Sequence, residues 1–161
     1  MAVRAITLGL AALTLAAPMW RGTLEPKDGS KISGTVTVEA VGSDSSRATI
    51  QITGAKPGSA LPWHVHSGAC GAAGAPIGAA TAYPLLQVGK DGSAKAVATV
   101  AVATPVSGVY SANVHASASN MIPIACGALK YDGAMMKDST TSMMPSDTSM
   151  HMAPADTTPK P

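Results

Sequence analysis

Thr35-Val36-Thr37-Val38-Glu39-Ala40-Val41 is the stretch that decides the fold, because apolar and polar side chains alternate along a β-branched run. A period of two sends successive side chains to opposite faces, as a half-buried strand requires. Ala48-Thr49-Ile50-Gln51-Ile52 repeats the pattern. Leu61 to His66 follows the turn Lys56-Pro57-Gly58, and Tyr83 to Val88 precedes the turn Gly89-Lys90-Asp91-Gly92. Ala94 to Ala103, Val109 to His115 and Ile122 to Leu129 supply the remaining runs. Gly, Pro, Asp and Ser punctuate them, and helical periodicity is absent between Lys31 and Leu129. Seven or eight strands at this spacing predict an all-β domain over residues 31–130, a Greek-key β-sandwich. Ser67 to Thr81, rich in Gly and Ala, is expected as a loop that contains Cys70.

Composition limits the partners and the core. The chain has 161 residues, 12% of them charged, and a formal net charge of +2. That leaves room for one ordinary domain plus tails and gives no electrostatic footprint for nucleic acid or anionic lipid. Phe is absent and aromatic residues make up 3%, so Val, Ile, Leu and Ala must fill the interior. A core of such small side chains gains much from a crosslink, and the chain carries two cysteines, Cys70 and Cys126.

The ends point outside the cytoplasm. Met1-Ala-Val-Arg4 is a short basic start, Ala5 to Ala17 is apolar, and Leu15-Ala16-Ala17 offers the small residues a signal peptidase takes. Residues 1–20 therefore read as a signal peptide, with cleavage between Ala17 and Arg21. The apolar run is shorter than the roughly 20 residues that span a bilayer. No membrane span is expected after its removal, and a membrane anchor is the competing reading. Export, periplasmic or secreted, puts the cysteine pair in an oxidising compartment, where it reads as a disulfide. Residues 133–161 hold Met135, Met136, Met143, Met144, Met150, His151 and Met152 among Ser, Thr, Asp and Pro, and are expected to be a disordered tail. Thioethers bind Cu(I) and survive oxidising conditions better than thiols, so these clusters are expected as auxiliary Cu(I) sites. A low-complexity linker and a methionine-oxidation scavenger are the alternatives.

Three of the four histidines carry the metal chemistry. In Trp63-His64-Val65-His66 the two imidazoles stand on one face of a strand, about 6.8 Å apart at Cα. That spacing lets both reach one ion. His115 ends a different strand, and a sandwich can bring the two strands together. Ordinary half-buried histidines are the alternative. Imidazole suits copper, and the Irving–Williams order favours Cu(II) over zinc at a nitrogen site. Zinc remains the competing occupant, because three imidazoles with an open position also describe a catalytic zinc site. Water, Met121 or His151 is the expected fourth ligand. Trp63 is expected to pack beside the site.

The chain resembles the copper/zinc superoxide dismutases. The resemblance rests on Gly34-Thr35-Val36-Thr37-Val38, His64-Val65-His66 with Cys70 shortly after, the Asp91-Gly92 turn, Val114-His115, and Ala125-Cys126-Gly127, in family order across residues 31–130. It implies a superoxide dismutase-like sandwich, copper on His64, His66 and His115, and a disulfide between Cys70 and Cys126. Asn113-Val114-His115 also resembles the bacterial CHRD domains, which look like the same sandwich. The departures matter equally. Between His66 and His115 there is no histidine, so neither the bridging histidine nor the family zinc site is expected. Asp91 is better explained by its turn. Asn120-Met121-Ile122-Pro123-Ile124 stands where the family carries its substrate-guiding arginine. The expectation is an exported copper-binding protein that sequesters copper or exchanges it with a donor or acceptor protein. A copper-only superoxide dismutase and a metal-free structural or interaction module are the alternatives.

Overall fold

The alternating run at Thr35–Val41 forms strand β2 in the computed structural model, which describes residues 19–132. In chain order the strands are β1 (Met19–Pro26), β2 (Ser33–Val41), β3 (Ser45–Thr53), β4 (Ala60–Leu61), β5 (Trp63–Ser67), β6 (Leu86–Gln87), β7 (Ala94–Val100), β8 (Tyr110–Ser117) and β9 (Asn120–Tyr131). Seven of them form one antiparallel sheet in the order β5-β8-β9-β1-β2-β3-β7, and β4 pairs with β6. The pairings β3·β7, β5·β8 and β1·β9 join strands that are not consecutive, so chain segments cross between the two ends of the sheet. This is the Greek-key, all-β architecture expected from sequence.

The sheet curls so that its inner face closes on itself. Val36 and Val38 of β2 pair with Ile50 and Ala48 of β3, and these pair in turn with Ala96 and Ala98 of β7. From the other end, Trp63 and Val65 of β5 pair with Val114 and Ala112 of β8. All of these side chains belong to one buried cluster, which joins the two leaves into one core. A residual void between the leaves measures only about 10 Å³ and is lined by Trp20, Val65, Val100 and Leu129 among others. Small residues thus pack tightly enough to serve without Phe.

Two differences from the sequence reading stand out. Strand β1 lies upstream of the expected 31–130 span, with Trp20 and Leu24 buried and Trp20 Nε1–H donating to Pro105 O at 2.7 Å. Met19 and Trp20 fall inside the segment expected as signal peptide, yet they pair with Glu39 and Val38 of β2. The run Leu61–His66 is also two strands rather than one, because Pro62 has no N–H to continue the ladder. The rest of the expected signal peptide, and the tail with Met135, Met136, Met143, Met144, Met150, His151 and Met152, lie outside the described residues.

Candidate metal centre

Strand β5 is buried on both faces, which is unusual for a strand at the end of a sheet. Trp63 and Val65 face the core, while His64 and His66 face outward and are 7% and 8% exposed. The outward face of β8 carries Ser111, Asn113 and His115, alternating with the core residues Ala112 and Val114. Register places His66 opposite Ser111 and His64 opposite Asn113, and Asn113 opposite Cys126 of β9. A buried polar layer therefore lies outside the sheet, on the side away from the hydrophobic core.

The segment after β5 covers this layer. Cys70 and Cys126 are joined in a disulfide with Cα atoms 5.9 Å apart, which ties the loop across β8 to β9. The loop starts on Gly68, whose φ of +90° favours glycine, and a Cβ there would stand 2.5 Å from Ala72 O. It then returns along the free edge of β5, where Ile77 N–H donates to Val65 O at 2.8 Å and His66 bridges to Pro76. The expected loop at Ser67–Thr81 is thus a lid pinned by a covalent bond and by backbone hydrogen bonds.

The three expected ligand histidines converge. The ring centroids of His64, His66 and His115 stand 5.6, 5.3 and 5.8 Å apart, a nearly equilateral triangle. One nitrogen from each ring lies within 4.8 Å of those of the other two. A register shift in β8·β9 at Val114/His115 sets the third ring: Val114 pairs with Ala125 and His115 with Pro123, leaving Ile124 as an extra residue. Bulges of this kind re-aim side chains.

Hydrogen bonds choose the nitrogen that each ring offers. His66 Nδ1 lies 2.9 Å from Gly74 O, and His115 Nδ1 lies 2.8 Å from Met121 O. A carbonyl can only accept, so both Nδ1 atoms carry the proton and both Nε2 atoms present lone pairs. Such a second contact fixes tautomer and ring direction, as outer partners do at metal sites. His66 Nε2 is buried and has no protein partner. His64 Nδ1 stands 3.3 Å from His115 Nε2, completing a set of one Nδ1 and two Nε2. Burial holds the His64 ring down at about 4 in pKa, helped by the charges of His115 and His66 and opposed by the Ala80 backbone. Burial also lowers His115, against the opposing contact with Met121. Neutral imidazole is the metal-binding form, so both effects prepare the site for a cation.

Neighbouring residues pack and hydrogen-bond around the site. Trp63 is fully buried, donates from Nε1 to Pro84 O at 2.8 Å and meets Tyr83 edge-on at 5.0 Å. Tyr83 also packs 5.3 Å from the His64 ring, and its O–H donates to Ile77 O in the lid. Asp91 accepts from Ser93 N–H and Ser93 Oγ in its turn, which accounts for its carboxylate locally. Met121 is exposed, and its backbone carbonyl is the part that touches the site. The carbonyls of Gly74 and Met121 leave no mark on residue type and escaped the sequence reading. Ser111 and Asn113 did leave one, because they continue the polar alternation that ends in His115. No protein-family model matches this chain, and no curated protein matches it either.

Proposed function

We propose that this protein is exported and binds copper as cargo through His64, His66 and His115, sequestering it or passing it to a partner outside the cytoplasm. The observation that carries this reading is the buried triangle of imidazoles, with Nδ1 of His66 and of His115 each tied to a backbone carbonyl. An orphaned, buried His66 Nε2 is costly unless something accepts its lone pair, and a cation does so. Neutral nitrogen donors favour copper among the divalent first-row ions, and imidazole also accepts Cu(I).

Export is supported by the basic start and apolar run of residues 1–17 and by the disulfide, which suits an oxidising compartment such as the periplasm or the exterior. The superoxide dismutase-like order of motifs adds to the copper reading. The six methionines and His151 beyond residue 133 supply further donors, the thioethers being suited to Cu(I). Titration of the purified full chain with Cu(II) and Cu(I), read by native mass spectrometry, tests the proposal. Retention of one copper by the buried site, lost in His115→Ala, supports it. Equal copper binding by the wild type and His115→Ala refutes it.

A further inference from the structure

Among the described residues, three buried side-chain polar atoms lack a hydrogen-bond partner: His66 Nε2, Ser111 Oγ and Asn113 Oδ1. All three belong to the same outward layer of β5 and β8. Asn113, 2% exposed, is placed at its centre. It lies directly opposite His64, diagonal to His66, two residues before His115 on the same face, and opposite Cys126 on the other side. Directly opposed side chains have Cβ atoms about 5 Å apart, and the i, i+2 spacing from Asn113 to His115 is the one that lets His64 and His66 share an ion. Ser111 is one step further out, opposite His66 and four residues from His115. A buried carbonyl oxygen without a donor costs free energy. One occupant that accepts lone pairs from both would account for its retention beside an orphaned imidazole nitrogen.

We infer that the Asn113 carboxamide oxygen is a fourth donor to the ion held by His64, His66 and His115, lying beneath the triangle on the sheet side. The inference rests on the metal-binding reading above and adds a ligand and a preference to it. A carbonyl oxygen is a hard donor that favours divalent over monovalent ions, so it biases this site toward Cu(II). Labour is then divided along the chain, with oxidised copper on the sandwich and the soft thioethers beyond residue 133 suited to the reduced ion.

The test compares full-length wild type with Asn113→Val, Asn113→Asp and His115→Ala, by Cu(II) affinity, by copper spin resonance, and by thermal unfolding without metal. Asn113→Val is expected to lower Cu(II) affinity about tenfold or more, to change the copper hyperfine coupling, and to leave the metal-free protein at least as stable. Asn113→Asp, which keeps an oxygen, is expected to bind Cu(II) at least as tightly as wild type. Wild-type affinity and an unchanged spectrum in Asn113→Val, with binding lost in His115→Ala, overturn this inference alone. Loss of metal-free stability in Asn113→Val together with weak binding in Asn113→Asp assigns Asn113 a structural role and also overturns it. Copper binding unaffected by His115→Ala overturns the site as a whole.

Discussion

His64 Nδ1 and His115 Nε2 lie 3.3 Å apart in a buried layer, although 51 residues separate them in the chain. His115 carries its proton on Nδ1, donated to Met121 O, so its Nε2 turns a lone pair toward His64, and the backbone of Ala80 favours a proton on the His64 ring. An ion that takes both facing nitrogens requires the His64 proton to be on Nε2. The metal-loaded protein is therefore expected to hold His64 as the Nε2–H tautomer. Imidazole nitrogen NMR shifts with a diamagnetic ion, Cu(I) or Zn(II), read this directly. An Nδ1–H tautomer of His64 in the loaded protein would contradict the pairing.

Stability of the metal-free protein should depend on acid in a defined direction. The folded-state value for His64, about 4, lies below its ordinary 6.5, and that of His115 is lowered too. A lowered value means the folded state resists protonation, so the stabilisation is complete above about 6.5 and is lost as pH falls toward 4. Urea midpoints are expected to be flat from pH 8 to about 7 and to drop between about 6.5 and 4. His64→Gln should reduce that drop, and an equally steep fall in this variant would place its origin elsewhere.

The Cys70–Cys126 bond should matter to both stability and metal retention. Closing a loop with a sequence separation of 56 contributes about 4 kcal/mol in the chain-entropy relation. It also ties down the lid whose Gly74 carbonyl orients His66. Cys70→Ala with Cys126→Ala is expected to lower unfolding free energy by about 2–5 kcal/mol and to speed copper release to a chelator. Unchanged release kinetics would separate the disulfide from the site.

Processing should spare β1. Trp20 is 4% exposed, donates to Pro105 O and meets Tyr110 and Tyr131 at 4.9 and 5.2 Å. Cleavage at the Arg21 end of the expected window would remove it. The mature chain is expected to begin no later than Met19, and Trp20→Ala to cost about 3–5 kcal/mol. Mass spectrometry of the protein isolated from cells and from their medium locates the terminus, and a chain starting at Arg21 that remains equally stable would contradict the role of β1.

What was legible from residues follows from which forces leave a periodic trace. Thr35–Val38, Ala48–Ile52 and Ala94–Val100 alternate because one face of each is buried, and their strands were readable. Met19–Pro26 was not, since Gly22 stands without a side chain at the inward position between Trp20 and Leu24, and an apolar export-like run precedes it. His64 and His66 were visible as a pair through strand geometry, and His115 through its place in a second strand. The bulge at Ile124 that aims His115 depends on tertiary register, and the carbonyls of Gly74 and Met121 depend on where a lid happens to fold. Asn113 carried a visible signal, a polar residue in step with His115, that acquires meaning only once Cys126 and the lid bury it.

The most direct test of the central claim is spin resonance of the Cu(II)-loaded full-length protein beside His64→Ala, His66→Ala and His115→Ala. An axial signal with splitting from three equivalent-type nitrogens, altered or lost in each single variant, is the expected result. A signal identical in all four proteins would place copper elsewhere on the chain and contradict the imidazole triangle as its site.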